Sequence, residues 1–296
     1  MMAKDFGKKI KNIGIFAGFG LPATVIWASV VLIPFIYGIW ITFTDWNGLA
    51  IDINYVGVKN YLEVFTDSTF VTAFFKTVIY AFFTVLASNL VGFLLALAVT
   101  SGIKGQSFFR TGFFTPNIIG GIILGYIWNF IFSYALTTFG KSIGVEWMST
   151  SWLTHPTRAL IALIIVSSWQ MSGYLMVIYI AGLTNVPKEL LEAAYVDGAS
   201  GFQVVRRVKL PLIKNSTAIC IFLSISRTFM SFDMNLSLTA GGPYKSTELI
   251  AYKIYQTAFT SMEFGKGQAQ AIVLFVIVAV ISLLQVYFTR KGVDEQ

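Results

Sequence analysis

Runs without a charged residue dominate the chain: residues 12–44, 77–103, 111–140, 159–186 and 267–289. Each exceeds the ~20 residues that a helix rising ~1.5 Å per residue needs to cross a bilayer core. A sixth apolar segment, 215–238, is interrupted by Arg227 and Asp233. The pattern predicts six helices, at about residues 13–43, 72–102, 111–134, 159–185, 216–239 and 267–289. These runs are too long and too uniformly apolar for the alternating strands of a barrel, and a backbone in lipid must satisfy its polar groups internally. The expected fold is an all-α integral membrane protein with six transmembrane helices. Lys4, Lys8, Lys9 and Lys11 precede the first run, which is too long for the apolar core of a signal peptide and lacks a clear small-residue cleavage site, so it is read as an anchor.

Composition agrees with a membrane location, since 56% of the 296 residues are apolar, 12% are charged and the mean hydropathy is +0.72. A net charge of +7 raises the question of nucleic acid, and the placement of the charges answers it. Six spans put both termini on one side together with the second and fourth connections. That side holds thirteen of the twenty-one basic residues, among them Lys104, Arg110, Arg206, Arg207, Lys209 and Lys214. The positive-inside rule then makes both termini cytoplasmic. Acids and bases balance on the other side, so the net charge reflects topology and no nucleic-acid partner is needed. A single cysteine, Cys220, and a single histidine, His155, exclude a disulfide scaffold and any metal site built from several such ligands. Cys220 is read as a small apolar packer, His155 as a loop residue, and Trp46, Trp147 and Trp152 as interfacial anchors. With no internal repeat and no low-complexity segment, residues 1–296 are taken as one domain. The longest cytoplasmic connection, about 187–212, mixes acidic, basic and apolar residues and is expected to be structured, with Gly198 and Gly201 dividing it into two short helices.

Within that connection Glu192-Ala193-Ala194 is followed after three residues by Gly198 and after nine more by Val208-Lys209-Leu210-Pro211. This resembles the extended EAA signature of ABC-importer permeases, with Val208 where isoleucine is usual. Leu238-Thr239-Ala240-Gly241-Gly242-Pro243 with Ser246-Thr247 is similar to a segment of the MalF/UgpA-type, binding-protein-dependent carbohydrate permeases, as are Thr42-Phe43-Thr44-Asp45-Trp46 and Val56-Gly57-Val58-Lys59-Asn60-Tyr61. The likeness extends over about residues 20–290; Lys76-Thr77, where many members have Asn-Thr, and the charged Arg227 depart from it. The resemblance implies the type I (MetI-like) importer permease fold, not an enzyme, in a bacterial or archaeal cell membrane. It implies a second, MalG-like permease, two ATPase subunits and an extracytoplasmic solute-binding protein as partners, and a sugar as cargo. It also implies that Glu192, Ala193, Ala194, Asp197, Gly198 and Ala199 form the helix that couples to the ATPase. The chain has no G-x4-GK-[ST] phosphate loop, so no cofactor is assigned to it, and ATP and Mg belong to the partner ATPase.

For the substrate pathway, Arg227 stands out, because a cation at membrane depth costs at least ~2.5 kcal/mol and usually faces a cavity or a partner. On a continuous helix Ser224, Arg227, Thr228, Ser231 and Asn235 fall within one 100° arc while Asp233 points almost opposite. Two readings of Arg227 stand side by side: a site for an anionic group such as the carboxylate of an acidic sugar, or a bridge to the partner permease or another helix. Trp169, Gln170 and Tyr174 on the fourth span offer aromatic faces beside an amide, a pairing that suits a sugar and that helix packing alone also produces. The alternatives are a secondary solute transporter or a channel subunit not driven by ATP; the paired broken helices of the former are not seen in the sequence.

Overall fold

A computed structural model describes residues 16–102 and 104–294, with side chains as far as Tyr287 apart from Phe19. Lys4, Lys8, Lys9, Lys11 and the first residues of the expected first span lie outside the described residues, as do the side chains of Arg290 and Lys291. Among the described residues five helices are long and apolar enough to cross a membrane: α1 (Phe16–Ile41), α3 (Ser68–Thr100), α5 (Gly121–Ile143), α6 (Pro156–Thr184) and α12 (Phe264–Asp294). Shorter helices are α2 (Lys59–Thr66), α4 (Gln106–Ile118), α7 (Lys188–Val196), α8 (Gly201–Leu212), α9 (Lys214–Phe229), α10 (Asp233–Leu238) and α11 (Ile250–Tyr255). The pair α8 and α9, bent by 75°, makes a sixth span if counted as one. Among the described residues the only β-pairing is an isolated antiparallel bridge between Thr44 and Tyr55.

The chain forms two compact units. The first joins the described residues up to Thr66 with Gln256–Val273. After α1 its chain turns back on itself, and Asn60 Nδ2 donates to the carbonyls of both Thr42 and Thr44 at 2.8 Å, holding α2 against that turn. Asp45 accepts from the side-chain amide of Asn54 at 3.0 Å and from its backbone N–H at 2.9 Å, and these bonds hold the Asp45 carboxyl below the usual carboxylate range. Trp46 lies against Phe264, with ring centroids 5.4 Å apart.

In the second unit, 67–255 with 274–296, α3 and α6 form the spine. Asp67 caps α3 by accepting from the backbone of Thr69 and Phe70, and Pro156 opens α6 at a position where a missing N–H costs nothing. Along α3 the residues Thr77, Ala81, Thr84, Ser88, Gly92 and Ala96 recur every three or four positions and are buried. Such a small-residue stripe lets two backbones approach where lipid supplies no hydrophobic drive for association. Gly173 on α6 shows how close the packing is: a Cβ there would stand 1.9 Å from the Phe113 carbonyl oxygen. Two apolar clusters follow along the spine, one around Leu163, Val166 and Leu238, the other around Leu175, Tyr179, Ile180 and Ile213.

Two of the expected spans are interrupted. Residues 111–134 are not one helix: α4 ends at Ile118, Ile119 and Gly120 are extended at ψ 128° and 141°, and α5 resumes at Gly121. Pro116 removes a ladder donor just before this break. Residues 216–239 likewise divide, since α9 stops at Phe229 and α10 begins at Asp233. The 16 residues of α9 reach about 24 Å, less than the ~30 Å of a hydrocarbon core. Non-helical backbone at membrane depth is tolerated where it is covered by protein or lines a polar cavity.

Candidate functional site

The two breaks meet at one cavity of about 230 Å³, level with Ser167–Met171 near the middle of α6 and between the two apolar clusters. Arg227, Ser231 and Asp233 reach it from either side of the α9–α10 break, Asn117 from the end of α4, and Gln170 and Ser167 from α6. Arg227 Nη1 donates to Asn117 Oδ1 at 2.9 Å, and the guanidinium lies 5.5 Å from the centre of the Tyr174 ring. Gln170 Nε2 donates at 3.1 Å to the carbonyl of Ile119, the residue that the broken helix leaves without a partner. Tyr80, buried on α3, donates through its hydroxyl to Ser231 Oγ at 3.3 Å. Ser167 is 6% exposed, and its buried hydroxyl lies beside that of Tyr80. A polar chamber with one cation and one carboxylate, walled by apolar clusters, can hold a polyhydroxylated solute and lacks the paired acid and base of a catalytic centre.

Of the residues that the sequence singles out for the pathway, Arg227, Ser231 and Gln170 line this cavity and Tyr174 stacks beneath the guanidinium. Three others are placed elsewhere. Thr228 is buried with its hydroxyl turned back to the Ser224 carbonyl at 2.8 Å. Trp169 packs edge-to-face on Trp128, centroids 5.5 Å apart. Asn235 is fully buried and holds the loop before α11: its Nδ2 donates to the Thr247 carbonyl at 2.7 Å and its Oδ1 accepts from Leu249 N–H at 3.1 Å. Asp233, expected on the opposite face from Arg227, lines the same cavity because the helix between them is broken. No ion pair joins the two among the described residues. Asn117 and Ser167 were not singled out by their sequence context, since a polar residue in an apolar run carries no sign of which face it will occupy.

At the other end of the second cluster, the connection after α6 forms α7 and α8. Asp197 ends α7, Gly198 takes the left-handed conformation at φ +77°, and two bonds close the turn: Gly198 N–H to Tyr195 O at 3.0 Å and Ala199 N–H to Ala194 O at 3.0 Å. Ser200 then caps α8 in a reciprocal box with Gln203. Glu192, Ala193, Asp197 and Gly198 are exposed, and Ala194 and Ala199 are half-buried. Beside them Val196 and Phe202 stand 87% and 73% exposed. Leu191 packs from the inner side of α7 against the cluster that includes Val186 and Ile213, so this segment is seated on α6 and the start of α9. The segment thus presents an acidic and apolar surface on a turn closed by two backbone bonds.

Membrane-length helices broken around a polar cavity are the architecture of a membrane permease. Residues 88–292 match the family described as the inner membrane component of binding-protein-dependent transport systems, and the chain belongs to that family. It is 45% identical over 262 residues, 88% of this chain and 89% of its relative, to the probable starch degradation products transport system permease protein AmyD of Thermoanaerobacterium thermosulfurigenes. Over 258 residues it is 32% identical to the multiple sugar-binding transport system permease protein MsmF of Streptococcus mutans, covering 87% and 89% of the two chains. Its fold matches a chain of a bacterial ABC transporter involved in the import of the acidic polysaccharide alginate, with a TM-score of 0.83, 21% identity and coverage of 97% and 99%. The chain is thus a multi-pass permease component of an ABC importer, with the MetI-like all-α fold.

Proposed function

We propose that this chain is one permease half of an ATP-driven importer that passes an oligosaccharide from an extracytoplasmic binding protein into the cell. The observation that carries the reading is the segment Glu192–Ala199, an exposed helix end closed by a left-handed glycine and seated through Leu191 on the core. Closure of a pair of ATPase subunits displaces this segment, and α6 and α9 pass the movement to the chamber, opening it to either side in turn. A second, MalG-like permease supplies the other wall, and both termini lie on the ATPase side, as the distribution of Lys and Arg supports. The likeness to AmyD and MsmF supports a sugar as cargo.

The test is to tag the chain in its host membrane, purify it in mild detergent and identify stoichiometric companions by mass spectrometry. An ATPase and a second permease are expected. Gly198→Val forces a β-branched residue into a positive-φ position, at a cost of about 1–3 kcal/mol to the turn, and is expected to lose the ATPase while the chain still folds. Recovery of the chain alone, moving solute without ATP, overturns the reading in favour of a secondary transporter or channel.

A further inference from the structure

Arg227 and Asp233 share the chamber, but their surroundings differ. The guanidinium is held, by its bond to Asn117 Oδ1 and by the face of Tyr174. The carboxylate of Asp233 has no hydrogen bond and no ion pair among the described residues, although it lines the cavity and is exposed to it. A free carboxylate in such a place has acceptor capacity for about four hydrogen bonds and nothing of the chain to fill it. We propose that Asp233 is the residue by which this chamber takes a neutral sugar unit, accepting hydrogen bonds from two adjacent hydroxyls, and by which it turns anionic sugars away.

The chemistry follows from what each ligand class brings. A sugar hydroxyl both donates and accepts, so adjacent hydroxyls can donate to Asp233 while others accept from Arg227, and these charge-assisted bonds are the stronger kind. A carboxylated or phosphorylated sugar satisfies Arg227 alone and sets a second negative charge beside Asp233, where like charges in a partly desolvated space oppose binding. On this chain's side of the chamber the one cation and the one carboxylate balance. The cavity of about 230 Å³ is this chain's share of a chamber that the second permease completes. The proposal rests on the carbohydrate reading above and adds the charge class of the cargo. It assigns Asp233 a role that its position in the first turn of a six-residue helix does not require.

The experiment uses the chain with its co-purified companions in nanodiscs, without binding protein, so that the permease's own preference is read. Maltotriose and trigalacturonate are titrated and binding is followed by saturation-transfer NMR. The wild-type complex is expected to bind maltotriose and to leave trigalacturonate unbound. In Asp233→Asn, maltotriose binding weakens by about tenfold or more and trigalacturonate binding appears. Asp233→Glu keeps the charge and is expected to go on excluding trigalacturonate, which covers the case in which Asp233→Asn fails to assemble. Unchanged affinities in Asp233→Asn, trigalacturonate bound by wild type, or trigalacturonate accepted by Asp233→Glu each overturn the proposal. If the wild-type complex assembles with its ATPase and binds neither sugar, the carbohydrate reading itself falls.

Discussion

Asp45 illustrates how one side chain can order a loop that flanks a span. Its two carboxylate oxygens are taken by the side-chain amide and the backbone N–H of Asn54, nine residues on, and both bonds favour the ionised form. The folded value is therefore depressed. The stability these bonds contribute is complete above the unfolded value and is lost as the pH falls through the lowered one. A carbon-13 NMR titration of labelled Asp45 is expected to give a midpoint below the ordinary Asp value of about 3.9, and Asn54→Ala is expected to raise it. A midpoint that ignores Asn54→Ala counts against this account. The same scale explains the contrast within the chamber: Arg227 is tied to Asn117 and Tyr174, whereas Asp233 lines the cavity without such a tie among the described residues. Two residues of opposite charge, six positions apart, are thus set in different roles by their neighbours.

Among the elements, the α9–α10 break carries the most consequence. It turns Asp233 to the chamber and sends Asn235 into the core, where it organises the segment Thr239–Leu249. Thr247 adds bonds to Thr239 Oγ1 at 2.8 Å and Gly242 O at 2.6 Å, and Thr77 on α3 accepts from the backbone of Ile250 at 2.8 Å. Asn235→Ala removes three bonds, to Thr239, Thr247 and Leu249, the last two of them buried. A loss of about 2–4 kcal/mol is expected, read as a lower unfolding midpoint in detergent together with faster proteolysis within 239–249. A cost below about 1 kcal/mol would mean that Thr77 and Thr247 suffice to hold the segment. In α7 the logic is local instead: a glycine at the left-handed position and a serine–glutamine box specify helix, turn and helix without help from the rest of the fold.

At the scale of the molecule, orientation is the property to test. Within the second unit Ser200 lies in the docking segment and Tyr244 at the tip of the loop after α10, 92% exposed. If the docking segment faces the cytoplasm, a cysteine at Ser200 reacts with an impermeant maleimide only after the cells are opened, while one at Tyr244 reacts in intact cells. Cys220, buried among α6 and α9 residues, stays silent and leaves a clean background. Labelling at both sites from the same side would refute the assigned topology.

Hydrophobic run length was enough to establish an all-α membrane protein with five or six spans, because apolar stretches of this length have no other stable place in a folded chain. The two short helices of the connection after α6 were also legible, since the turn between them depends on Gly198 and its immediate neighbours. Helix continuity was not. Pro116 and Gly120 hinted at the first break, but nothing in the residues 230–232 announced the second. A face assigned at 100° per residue holds only while the helix is unbroken, so Asp233 and Asn235, which lie beyond the break, were set on the wrong sides of the chamber wall. Only tertiary structure brought Asn117 to Arg227 across 110 positions and left the Asp233 carboxylate open. Run length records the free energy of leaving water, which each residue carries by itself; a binding chamber depends on which polar groups find partners, and that is decided by packing.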